Sequence, residues 1–130
     1  MTDISASLED YLEAIYILGQ SNDFVRITDI AEFLKVSKPS VNKAVGILKE
    51  EEFLEHESYK AIKLTRKGKQ RASKVLRRHK VIKQFLCENL GVDEKVAEAD
   101  ACRMEHVVSA QTVNKLYEYI KKREDKDEQV

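Results

Sequence analysis

Apolar residues recur every three or four positions along most of the chain, the spacing of helices that bury one face. Leu8, Leu12 and Ile15, flanked by Tyr11 and Leu18, place an amphipathic helix over 6–20. Ser21 to Asp23 supply turn chemistry, and Thr28 suits the N-cap of a short helix, Asp29-Ile30-Ala31-Glu32-Phe33-Leu34. Val36-Ser37 leaves room only for a tight turn. Ser37 then caps a third helix with Pro39 in its first turn, where a missing N–H costs little. That helix buries Val41, Val45 and Leu48 and ends near Glu51. The period next shortens to that of a strand: Phe53 to Glu57 and Ala61 to Thr65 alternate apolar and polar residues around Ser58-Tyr59-Lys60, a hairpin pattern. Ala72, Val75, Leu76, Ile82 and Leu86 mark one long helix from about Arg66 to Asn89, with Gly68 tolerated in its first turn and Gly91 at its C-terminal cap. Asp93 opens a fifth helix that buries Ala97, Ala101, Met104 and Val108. Ser109 caps a sixth, with Val113, Leu116, Tyr117 and Ile120 inward, and the charged stretch Lys121 to Val130 is expected to fray.

This order predicts a mainly α fold with a small β-hairpin: a winged helix-turn-helix head over 1–70, a helical domain over 71–125 and a flexible tail over 126–130. Ile30, Ala31 and Leu34 face Val41, Val45 and Leu48 across the tight turn, and the small Ala31 permits close approach. In such a head the third helix enters the DNA major groove. Its first turns offer Lys38, Ser40, Asn42 and Lys43 beside Pro39, and Tyr59 and Lys60 stand at the hairpin tip, within reach of the phosphate backbone. A structural three-helix module with ordinary surface lysines is the competing reading.

Charge sharpens the choice. The 130 residues are 42% hydrophobic and 35% charged, with one Pro and four Gly, which excludes collagen-like and Pro/Gly-rich disordered chains. The longest apolar run, Ala14 to Leu18, is far too short to span a bilayer, no secretory leader is visible, and Cys87 and Cys102 cannot form a disulfide framework, so a cytoplasmic protein is expected. The net charge of zero hides a division. Residues 1–25 carry five acids and no base; 26–87 carry sixteen bases against seven acids, a net of +9; 88–130 carry seven bases against eleven acids, a net of −4. A basic centre is the electrostatic footprint of nucleic-acid binding, although a solvated helix face gives similar counts.

The acidic ends hold candidate metal chemistry. Asp10 and Glu13 share one face of the first helix, opposite its apolar stripe. Cys102, Glu105 and His106 stand at i, i+3 and i+4 on the fifth helix, with Glu98 one turn earlier, and His79 lies between Leu76 and Ile82 on the long one. Thiolate, carboxylate and imidazole within one turn form a mixed donor set for a divalent transition ion. Taken singly, each has a plainer reading: solvated acids, a hydrogen-bonded core histidine, an inert thiol such as Cys87. No Ser/His/Asp set and no phosphate-cradling glycine loop is present, so an enzyme is not indicated.

Ala101-Cys102-Arg103-Met104-Glu105-His106 resembles the metal-site helix of the diphtheria-toxin-repressor-like, metal-dependent transcriptional repressors. Leu8-Glu9-Asp10-Tyr11-Leu12-Glu13-Ala14-Ile15-Tyr16 is similar to the first helix of their manganese-transport-regulator branch. Thr28-Asp29-Ile30-Ala31, Pro39-Ser40-Val41, Leu64-Thr65-Arg66-Lys67-Gly68 and Arg78-His79-Lys80 fall where the family has its DNA-binding and linker motifs, so the resemblance covers about residues 5–120. It implies a homodimeric repressor, activated by a divalent metal to bind double-stranded operators of metal-uptake genes, whose helical domain dimerises and binds the metal. The implied ligands are Asp10, Glu13, His79, Cys102, Glu105 and His106. Mn²⁺ or Fe²⁺ is the implied ion, with Zn²⁺, Co²⁺ and Ni²⁺ compatible with a thiolate; neither a membrane nor a small organic substrate is implied. The chain is a hybrid: the manganese branch has a carboxylate at Cys102, while the iron branch has cysteine there but methionine at Asp10, and an acid where this chain has Lys83. A winged-helix regulator answering an organic ligand or a partner, with no metal site, is the alternative.

Overall fold

The computed structural model describes residues 4–22, 24–56 and 61–128, which fall into two compact units, Met1–Lys74 and Val75–Val130. The first holds α1 (Ala6–Ser21), α2 (Ile27–Leu34), α3 (Lys38–Glu50) and an antiparallel pair, β1 (Leu54–Glu55) and β2 (Lys63–Leu64). Then comes α4 (Arg66–Gln84), whose N-terminal part belongs to this unit. The rest of α4, α5 (Glu94–Met104) and α6 (Ala110–Glu128) make up the second unit.

In the head, Leu12 and Ile15 of α1, Ile30 and Ala31 of α2, and Val41, Val45 and Leu48 of α3 form one buried cluster, closed by Phe53, Leu54 and Ile62. Leu34 packs at its edge. The Ser37 hydroxyl caps α3 through Ser40 N at 3.3 Å, with Pro39 in the first turn. The strands are shorter than the alternation predicts: Leu54 pairs with Leu64 and Glu55 with Lys63, and an isolated bridge joins Val25 to Ile62. The expected cap at Thr28 is displaced. The helix begins at Ile27 because the Asp29 carboxylate accepts the Arg26 N–H at 3.0 Å, closing the turn two residues earlier.

In the second unit, Val81, Val113 and Ile120 are buried, with Phe85, Val108 and Leu116 packed on them. The long helix is not α-helical throughout: Phe85–Asn89 widens into a π turn, and Gly91, at φ +69°, ends it in the left-handed region where a side chain would be strained. Asp93 caps α5 through Lys95 N, and Ser109 caps α6 through Thr112 N. One expectation fails here. Tyr117 is exposed rather than inward, flanked by Arg77 and Lys121 over its ring. The charged stretch after Lys121 is helical through Glu128.

Candidate metal centre and nucleic-acid interface

α5 ends one residue before Glu105, so Glu105 and His106 leave the helix in the turn that follows it. Glu105 is among the most deeply buried side chains, 1% exposed, and its Oε1 lies 3.5 Å from His106 Nε2 while its Oε2 lies 3.1 Å from His79 Nδ1. That Oε2 accepts no aligned hydrogen bond among the described residues. Cys102, one turn back on α5, brings Sγ to 3.8 Å from the same His79 nitrogen. A buried carboxylate facing an imidazole nitrogen that also meets a thiol suits a divalent cation: all these groups are acceptable ligands, and a buried carboxylate needs a positive partner.

The other edge of the His79 ring meets Glu98, whose carboxylate lies 3.0 Å from Nε2. One ligand atom each from His79, Glu98 and Cys102 fall within 4.8 Å of one another. Glu105 raises the His79 pKa most; burial pulls it down, and Glu98 raises it further, for a result of about 9 against the usual 6.5. Burial works to raise Glu98, but the Lys83 ammonium and the His79 ring hold it below the ordinary carboxylate range.

Asp10 and Glu13 keep their i, i+3 relation on α1, Asp10 exposed and Glu13 half-buried. Their neighbour Glu9 is the surprise: it is buried, and Oε2 accepts from Arg71 Nε at 2.8 Å. Only the complementary base on α4, 62 residues away, could have signalled this role.

On the head, Lys38, Pro39, Ser40, Asn42 and Lys43 all lie exposed on the first turns of α3. Ser40 is partly committed, since its hydroxyl lies 2.8 Å from that of Ser37. Tyr59 and Lys60 lie outside the described residues. Some of the positive charge in this segment is structural: Lys49 donates to the His56 carbonyl, and Lys67 donates to that of Glu51 while lying over the Phe53 ring.

Comparison with known proteins agrees with both halves. The iron-dependent repressor N-terminal DNA-binding domain matches residues 3–62, and the iron-dependent repressor metal-binding and dimerisation domain matches residues 65–128. The chain is 38% identical over 124 residues to an HTH-type transcriptional regulator of Methanocaldococcus jannaschii, covering 95% of this chain and 99% of that one. It is 37% identical over 122 residues to the HTH-type transcriptional regulator MntR of Bacillus pumilus, covering 94% and 84%. The solved structure of the manganese regulator SloR aligns with a TM-score of 0.79 at 31% identity, over 93% of this chain and 55% of that one. A manganese-dependent transcriptional repressor in complex with manganese aligns with a TM-score of 0.76 at 28% identity, over 84% and 50%. This chain thus spans about half the length of those two solved chains. A helix-turn-helix head with a paired-strand wing and an N/O/S donor cluster around the buried Glu105, matched in order to these two domains, make the chain a member of the iron-dependent, diphtheria-toxin-repressor-like family of metal-dependent transcriptional regulators.

Proposed function

We propose that this chain is a cytoplasmic, homodimeric repressor that Mn²⁺ or Fe²⁺ switches to high affinity for operators of metal-uptake genes. The observation that carries the reading is Glu105, a carboxylate 1% exposed and held between the His79 and His106 imidazoles. His79, Cys102, Glu105 and His106 are the proposed ligands from the second unit. The resemblance adds Asp10 and Glu13, whose shared face on α1 supports a joint role. When bound, the ion supplies the positive charge that offsets these acids. For its part, His79 must surrender the Nδ1 proton before that nitrogen can act as a ligand.

Lys38, Ser40, Asn42 and Lys43 contact the operator, with Pro39 fixing the first turn of α3. Exposed Leu90, Val96, Val107 and Tyr119 give the second unit apolar surface that a second copy would cover. Two heads then meet half-sites about one DNA turn apart. No helix among the described residues is long and apolar enough to cross a membrane. No enzymatic role is proposed.

The test is an operator-binding titration with Mn²⁺, Fe²⁺ and Zn²⁺ in turn, on the wild-type chain and on Cys102→Ala and Asp10→Ala. Metal raises wild-type DNA affinity at least about tenfold, a coupling of about 1.4 kcal/mol, and the variants lose that gain. DNA affinity indifferent to every metal would sink the proposal in favour of an organic effector.

A further inference from the structure

A histidine that binds a metal through one nitrogen has to keep its proton on the other, and a neighbouring acceptor decides which. In His79 the two edges of the ring face different chemistry. Nδ1 looks at Oε2 of Glu105 and Sγ of Cys102, 3.1 and 3.8 Å away. Nε2 lies 3.0 Å from each oxygen of Glu98. A carboxylate there holds the proton at Nε2 and leaves Nδ1 to act as the ligand. Glu98 is itself a metal donor by type, however, and it stands within ligand range of His79 and Cys102.

Lys83 bears on which role Glu98 takes. Its ammonium reaches Glu98 Oε2 at 3.0 Å and Glu94 Oε1 at 3.7 Å, joining α4 to α5. A fixed positive charge on a carboxylate oxygen orients that carboxylate and repels any further cation drawn to it. Glu94, Lys83, Glu98 and His79 are therefore joined by successive contacts that end at the proposed metal ligands.

We propose that Glu98 is a positioning residue for the metal centre, holding His79 with Nδ1 turned to the metal, and that Lys83 is a tethered counter-cation that keeps Glu98 from collecting a metal of its own. This deepens the metal-centre reading and rests on it. The carboxylate serves the site without ligating, and the number of metals each subunit takes is limited by a lysine.

Titrating the full chain with Co²⁺ tests both parts, reading thiolate-to-cobalt and d–d absorption together with bound metal per subunit. Glu98→Ala weakens Co²⁺ binding about 10–100-fold and shifts the d–d bands, because His79 is no longer held. Glu98→Gln, whose amide oxygen still accepts from Nε2, restores most of the affinity and the wild-type spectrum. Lys83→Ala takes up one more Co²⁺ per subunit than wild type, and adding Glu98→Ala to it abolishes that extra uptake. Glu98→Ala with wild-type affinity and spectrum overturns the positioning role. So does Glu98→Gln as weak as Glu98→Ala, which would make Glu98 a direct ligand. Unchanged stoichiometry in Lys83→Ala overturns the counter-cation. A wild-type chain that binds no Co²⁺ defeats the metal-centre reading and this inference with it, whereas normal wild-type binding beside an indifferent Glu98→Ala defeats this inference alone.

Discussion

A Cβ built on Gly68, in the first turn of α4, would stand 1.9 Å from the Phe53 carbonyl oxygen and 3.3 Å from Leu64 Cδ2. That carbonyl cannot swing away cheaply, because it accepts the Thr65 N–H at 3.0 Å, while the Thr65 hydroxyl caps α4 through Gly68 N. Gly68→Ala should therefore destabilise the head by about 1–3 kcal/mol, the usual cost of overpacking, seen as a lower urea midpoint by circular dichroism. An unchanged midpoint would mean that the turn relaxes freely. Local spacing marks Gly68 as merely tolerated, since the atom that excludes a side chain belongs to a residue fifteen positions earlier in the chain. His79 offers a second residue-level prediction. Its folded pKa, about 9, exceeds the unfolded 6.5, so the stabilisation is fully present below pH 6.5 and is lost as pH rises through 9. In chelator, the wild-type melting temperature should fall between pH 6.5 and 9, and His79→Gln should flatten that part of the profile. Parallel profiles for the two chains would refute the assignment.

Between elements, the Glu9–Arg71 pair ties α1 to the start of α4 within the head. Removing one partner of a fully buried pair costs about 3–5 kcal/mol. Arg71 keeps 29% of its side chain exposed, so Arg71→Ala should cost less, about 2–3 kcal/mol. A double-mutant cycle with Glu9→Gln should show a favourable coupling, and strict additivity would leave the pair without an energetic role. The elements that could be read in advance are those with local determinants: the Ser37, Asp93 and Ser109 caps, the apolar stripes of α1 and α3, and the turn between α2 and α3. Those misread depend on partners remote in sequence or on competition at close range. Asp29 outcompetes Thr28 for control of the α2 start. The candidate centre divides the same way. Residue types and spacing single out His79, Cys102, Glu105 and His106, but the end of α5 that buries Glu105, and the grip of Glu98 on His79, appear only once α4 and α5 are set side by side.

For the molecule as a whole, the division of charge implies that affinity and sensing can be separated experimentally. The excess of bases in 26–87 contains the proposed DNA contacts, while the proposed ligands on α5 and in its following turn belong to an acidic stretch. Each phosphate neutralised by a lysine releases counterions, so the slope of log affinity against log salt counts contacts made by the head. Lys43→Ala should reduce that slope by about one, in the presence or absence of metal, while leaving the metal concentration that half-saturates the chain unchanged without DNA. Cys102→Ala should do the opposite, moving the half-saturating metal concentration and leaving the salt slope of the metal-loaded complex intact. Because linkage is reciprocal, operator DNA must raise the metal affinity of wild type by the same factor that metal raises its DNA affinity. If Cys102→Ala altered the slope as much as Lys43→Ala does, the thiol would be acting on the head's contacts themselves, and a sensor that only shifts the balance between weak and strong binding would be the wrong description.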